Sequence, residues 1–162
     1  MSKPTAIIAS LEDCPDWLDR TLAKDYWEAD YLLQPLFLPD EERLLFRFDT
    51  NSPKLYRQLD QFEIQTFVII TAFNPGSVML SVEENMARHA QLRESLAPHS
   101  SLLRDSTGQT PRGDWQEQGF WALNIDLEMA VDIGRDFGQL AIVCWQRGFK
   151  PALWWLGNSI HF

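Results

Sequence analysis

Residues 64–72, IQTFVIITA, limit what this chain can fold into more than any other stretch. Val68, Ile69 and Ile70 are consecutive, β-branched and apolar. A strand with one wet face would alternate, so an unbroken run calls for cover on both faces. The segment therefore predicts a central strand, paired on both edges and sandwiched between layers. It stops at Asn74-Pro75-Gly76, a turn sequence that breaks a strand ladder. A chain of 162 residues has room for one such core of two or three layers.

The remaining elements arrange themselves around that strand. Residues 1–13 read as a loose arm, and residues 14–162 as a single domain. A helix is expected over 15–28, with Trp17, Leu18, Leu22 and Tyr26 near helical spacing. Strands are expected over 30–35 and 43–49, separated by a loop that Pro35 and Pro39 punctuate. Pro53 suits the first turn of a helix carrying Leu55, Leu59 and Phe62, with Asn51 or Ser52 as its cap. Ser81 and Glu84 form an S-x-x-E capping box at the start of a helix over 81–97. Residues 101–106 read as a strand and 106–113 as a polar loop. A strand over 117–125 is followed by a helix over 127–137, which Gly138 terminates. Two last strands are expected over 140–145 and 152–156. The sum is an α/β or α+β domain with a mixed sheet of about 5–7 strands and helices packed on it. The strand–helix–strand stretches 64–106 and 117–145 predict some parallel pairing.

Charge excludes several function classes. Asp and Glu number 23 against 14 Lys and Arg, a formal charge of -9. Such a field disfavours nucleic acid and anionic membranes as partners. Cys14 and Cys144 are too few for a disulfide scaffold and read as reduced thiols of a cytosolic protein, with one bridge between them left open. No apolar core of a signal peptide and no bilayer-length apolar run is present, so a cytoplasmic location and no membrane contact are expected. Neither a Gly-rich phosphate loop nor a G-x-S-x-G elbow occurs. His89, His99 and His161 have no metal-ligand spacing with each other or with the cysteines, so neither metal nor cofactor is expected. His99 and His161 read as solvated, His89 as a half-buried or core histidine, and Cys144 as a small buried hydrophobe. Most of the seven tryptophans fall in strand or helix patterns and read as core. Trp115 differs because it follows the Gly-Pro loop 108–114, where it could wall a pocket or anchor the loop.

The informative constellation is the turn after the central strand together with the helix that follows it. On a helical wheel Val82, Met86, His89, Leu92 and Leu96 share one face, expected to be buried. Asn85 falls inside that face and Arg88 at its edge. A buried amide needs partners, because an unpaired one costs about 1–3 kcal/mol. Asn74 and Ser77 come from the carboxyl end of the strand, where open α/β sheets bind ligands. The helix start at Ser81 offers free amides suited to an anionic group. Two readings stay open. In one, Asn85 ties down the 74–80 loop and Arg88 pairs with an acid such as Glu117 or Glu84. In the other, these groups line a ligand site.

At these residues the chain resembles the bacterial domain of unknown function 3293. Ile70-Thr-Ala-Phe-Asn-Pro75, then Ser81, Glu84-Asn85, Arg88 and Leu92, is similar to that family's "ITAxNP … S-x-x-EN-x-x-R-x-x-x-L" core. Trp115-x-Glu117, Phe137-Gly-Gln-x-Ala141 and the tyrosine-containing stretch 26–33 support it. The resemblance implies a compact α/β domain and no particular activity. It implies as motif residues Asn74, Pro75, Glu84, Asn85, Arg88, Trp115, Glu117 and Gln139. The expected function is a pocket for a small anionic or nucleotide-like metabolite at the carboxyl end of the central strand. Arg88 and the Ser81 helix start would hold the negative group. Asn74, Asn85 and Gln139 would hydrogen-bond the rest, Trp115 would stack, and Ser77 and Glu117 complete the expected ligand-binding set. An enzyme variant would use Glu117 or Glu84 as general acid or base. The alternative is a protein-interaction or regulatory adaptor whose polar motif is structural.

Overall fold

The computed structural model describes residues 3–37 and 42–157. Pro39 and His161 lie outside the described residues. Among the described residues eight strands form one sheet: β1 (Ala6–Ile8), β2 (Asp30–Leu33), β3 (Leu44–Phe46), β4 (Thr66–Thr71), β5 (Leu102–Gln109), β6 (Gln116–Leu123), β7 (Ala141–Gln146) and β8 (Ala152–Trp155). Four α-helices accompany them: α1 (Arg20–Trp27), α2 (Pro53–Gln61), α3 (Val82–Leu96) and α4 (Leu127–Asp136). The spatial order is β1-β8-β7-β4-β6-β5-β2-β3.

β4 is central, as its apolar run requires. It pairs with β6 on one edge and β7 on the other. Phe67 and Ile69 face one core with α1 and α2, while Val68 and Ile70 face a second core with α3 and α4. The parallel pairing expected of 64–106 and 117–145 does not occur, since all the strand pairs are antiparallel. Both helical crossovers exist, but each passes over one strand. β4 and β5 run the same way with β6 inserted between them, and β6 and β7 run the same way with β4 between them. This interleaved β4-α3-β5-β6-α4-β7 unit is the split βαβ, or ferredoxin-like, arrangement. A strand–helix–strand pattern fixes relative direction but not adjacency, which is why the pattern alone suggests neighbours.

Gly119 shows how tightly the centre is built. A Cβ at that position would lie 2.4 Å from the Ile70 carbonyl oxygen on the neighbouring strand. The arm expected over 1–13 is also corrected: Ala6–Ile8 pairs antiparallel with β8, and Ile8 is wholly buried. Three residues are too short a run to show a period, so their apolar content gave no strand signal. The helix expected from residue 15 begins at Arg20 instead, because Asp19 accepts hydrogen bonds from the Thr21 and Leu22 amides. β5 continues through Gln109, into the region expected to be polar loop, because its partner β6 supplies a full ladder from Leu102 to Gln109. Among the described residues no helix is long and apolar enough to cross a membrane.

Candidate functional site

The turn after β4 is the origin of the site. Asn74 sits in the left-handed region at φ 47, a conformation that Asn tolerates better than most residues. That geometry turns its backbone amide and its side chain toward α3. The Asn74 amide donates to Asn85 Oδ1 at 3.0 Å, and Asn85 Nδ2 donates back to Asn74 Oδ1 at 2.9 Å. The Leu80 amide also donates to Asn74 Oδ1, at 3.0 Å. Both asparagines are buried, so this reciprocal pair satisfies groups that would otherwise be costly.

Arg88 and Gln139 extend the same knot. Arg88 Nε donates to the Ala72 carbonyl at 2.9 Å, and its Nη2 to the carbonyl of Phe137. Gln139 Nε2 donates to the Phe73 carbonyl at 3.1 Å. The Gly76 amide reaches the Gly138 carbonyl at 2.8 Å. Gly138 has φ 70, and a Cβ there would stand 2.8 Å from Pro75 Cβ, so this contact suits glycine on both counts. The end of β4 is thus laced to the end of α4. Arg88 pairs with neither Glu117 nor Glu84: carbonyl oxygens take its donors. Glu84 is engaged in the capping box with Ser81, as the sequence predicts, and both side chains are exposed on the surface.

One expectation about α3 is overturned. Val82 and Met86 are 75% and 41% exposed, while Asn85, Leu92 and Leu96 are buried. The buried stripe therefore runs through Asn85 rather than Val82. The polar knot takes the position that a wheel built on apolar residues gives to Val82 and Met86. His89 is half-buried and stacked on Phe120 with ring centroids 4.3 Å apart.

Two motif residues, Asn74 and Glu117, lead from the knot to open space. Glu117, the second residue of β6, is 8% exposed, and its Oε2 accepts from Asn74 Nδ2 at 2.9 Å. No hydrogen bond from a described residue reaches its Oε1. The carboxyl lines an inner cavity of about 50 Å³ between the sheet and α1, walled by Tyr26, Tyr31, Ile69, Ser106 and Trp115. An outer cleft of about 340 Å³ is lined by Leu22, Asp25, Tyr26, Asn74, Ser77, Met79, Thr110 and Trp115. Asp25, Tyr26 and Trp115 line both spaces. Its size is in the usual range of roughly 300–1,000 Å³ for small-ligand pockets.

The electrostatics follow from burial. Loss of water pushes the Glu117 carboxyl up to about 7, against the opposing Asn74 hydrogen bond. Burial likewise raises the Tyr26 phenol, opposed by a hydrogen bond from Ser77 and reinforced by the charges of Glu117 and Asp25. Tyr31 is raised well above the usual phenol range by burial, then by Tyr26 and Glu117. Its hydroxyl donates to the Tyr26 carbonyl at 2.9 Å, which fixes the end of α1 over the cavity. Neither space is lined by Lys, Arg or His.

Of the residues expected in a site, the structure brings Asn74, Ser77, Trp115 and Glu117 to these two spaces. Ser81, Asn85, Arg88 and Gln139 do not line them. Trp115 walls the cleft from the β5–β6 turn, which is closed by the Thr110 amide donating to the Trp115 carbonyl at 3.1 Å. Sequence reasoning missed Asp25, Tyr31 and the wall that Tyr26 provides. Tyr26 sits on an apolar helical stripe, where periodicity cannot separate a cleft wall from core.

The fold and site together define an antiparallel α/β domain with a split βαβ centre and an acidic, aromatic-walled cleft. Residues 70–142 match the family model described as "Protein of unknown function (DUF3293)". The segment contains every motif residue of both knot and cleft, but not α1, which supplies the opposite wall. No curated protein and no solved structure matches the chain.

Proposed function

We propose that this domain binds a small molecule in the cleft at the carboxyl end of β4. The observation that carries the proposal is Glu117: a buried carboxyl facing a cavity, with one oxygen bonded to Asn74 and no cation beside it. Burying a carboxyl with so few partners is costly. The same volume filled by an apolar side chain would stabilise the fold more, so its position suits recognition better than scaffolding. Ser77, held at φ 64 on the cleft rim, supports this, since strained residues cluster at ligand clamps.

The ligand class shifts from the one the sequence suggests. Arg88, the group that would hold an anion, has its Nε and Nη2 donors on carbonyls away from the cleft. The lining favours a neutral or positively charged molecule instead. A carboxyl poised near pH 7 also has the protonation behaviour that acid–base chemistry uses, whereas Glu84 lies outside the cleft. The adaptor alternative would use the exposed apolar strip of Val78, Met79, Val82 and Met86. A thermal-shift screen of small metabolites separates the two. A ligand present at about 100 times its dissociation constant adds roughly 2.7 kcal/mol. Wild-type protein should be stabilised by at least one such compound, and Trp115→Ala should lose the shift. A screen in which every compound leaves the melting temperature unchanged counts against the cleft.

A further inference from the structure

Resting on the small-molecule reading above, we propose that the cleft recognises an organic cation, with a protonated nitrogen placed at Glu117 Oε1 and its carbon body between Tyr26 and Trp115. Three independent features converge on this class. The first is the carboxyl itself: Glu117 is more than nine-tenths buried and lines the cavity, and its side-chain bond, from Asn74, is to Oε2 alone. An N⁺–H donor is the partner that best compensates a desolvated carboxylate. The second is the pair of aromatic walls, Tyr26 and Trp115, which line both the inner cavity and the outer cleft. Indole and phenol rings attract cations through the negative face of the ring. The third is the rim. Asp25 is the other charged side chain on the lining, and it is exposed at the mouth. It adds negative potential along the entry path, in a chain whose overall charge is -9.

A metal ion fits less well than an organic cation. Among the described residues no three His, Cys, Asp or Glu side chains come together. Asn74 Oδ1, the nearby amide oxygen, is occupied by the Leu80 amide and Asn85 Nδ2. Volume agrees: the inner cavity of about 50 Å³ takes a charged head group, and the outer cleft of about 340 Å³ takes an apolar body.

Binding is coupled to protons. The groups facing Glu117 are Asp25 and Tyr26 from α1 and Tyr31 from β2, and the strands lining the cavity add no further ionisable side chain. Both phenols stay protonated at neutral pH because burial raises them. Glu117 therefore dominates the response, and a cation that needs its carboxylate form binds more tightly as pH rises through about 7.

The test uses phenethylamine, putrescine and cyclohexylamine as cationic probes, with 2-phenylethanol and phenylacetate as neutral and anionic counterparts. Binding to the full chain is followed by calorimetry and by the Trp115 indole resonance. At least one cation should bind tenfold or more tightly than the neutral and anionic probes. Its affinity should rise from pH 6 to pH 8, and Glu117→Gln should weaken it at least tenfold without unfolding the protein. If 2-phenylethanol or phenylacetate moves the Trp115 resonance at least as strongly as any cation, the cation class is wrong while the small-molecule cleft survives. If no probe binds and the metabolite screen is also silent, both proposals fail.

Discussion

Two regions grow from the same short motif and treat polarity in opposite ways. In the knot of Asn74, Asn85, Arg88 and Gln139, the side chains are tied to backbone groups or to each other. In the cavity beside it, Glu117 is bonded through one oxygen only, and the residue lines a space with apolar and aromatic walls. Asn74 belongs to both, with Oδ1 in the knot and Nδ2 on Glu117. A polar motif residue is therefore not evidence of a site by itself. What separates site from scaffold is whether its hydrogen-bonding capacity is already satisfied by the fold.

The comparison can be broken most severely at its shared member. Asn74→Ala removes three side-chain hydrogen bonds, two of them buried, and puts a residue without an amide side chain at φ 47. Chemical denaturation should show a loss of about 3–4 kcal/mol. A loss under about 1 kcal/mol would mean that the knot is not what holds the turn.

Glu117→Gln should act in the other direction. Its folded pKa of about 7 lies above the ordinary value of 4.5. The unfolded chain therefore releases this proton first as pH rises. The stability that the protonated form contributes is complete below about pH 4.5 and gone by somewhat above pH 7. At pH 8 the glutamine variant should be more stable than wild type, by something on the order of 2–3 kcal/mol, and the two should converge toward pH 4.5. Urea midpoints across that range read the difference. A variant less stable than wild type at pH 8 would place Glu117 with the scaffold.

Arg88→Ala tests the knot without touching the cleft. It frees the Ala72 and Phe137 carbonyls, and two hydrogen bonds from a charged donor at a half-exposed position suggest a loss of about 2 kcal/mol. Ligand affinity of the folded variant should stay within about twofold of wild type. A tenfold loss would bring Arg88 into the site.

Ser81→Ala is the mildest change. It deletes one half of the capping box, so a loss of about 1 kcal/mol in a urea titration is expected. An unchanged midpoint would show that the start of α3 is held by its packing rather than by its cap.

The central strand was legible in the sequence because three consecutive β-branched residues leave no dry or wet alternative face. The capping box of α3 was legible because Ser81 and Glu84 act locally, through bonds that depend on spacing alone. Adjacency of the strands was not legible. The insertion of β6 between β4 and β5 is decided by long-range contacts such as Gly119 against Ile70. In the site, Asn74, Ser77, Trp115 and Glu117 were reachable from the turn and its resemblance to a family. Arg88 was misplaced because a sequence shows a charge but not the carbonyls that engage it. The wall from α1 was hidden because Tyr26 lies more than forty residues before the turn and looks like core.

Recognition depends on one carboxyl, Glu117, that is buried at the inner cavity and bonded to Asn74 through one oxygen. Its most direct test is the titration of the Glu117 side-chain carboxyl carbon by NMR in the wild-type protein. A midpoint near 7, moving downward when a cationic ligand is added, is the predicted result. A midpoint near the ordinary 4.5, unchanged by any ligand, would contradict it.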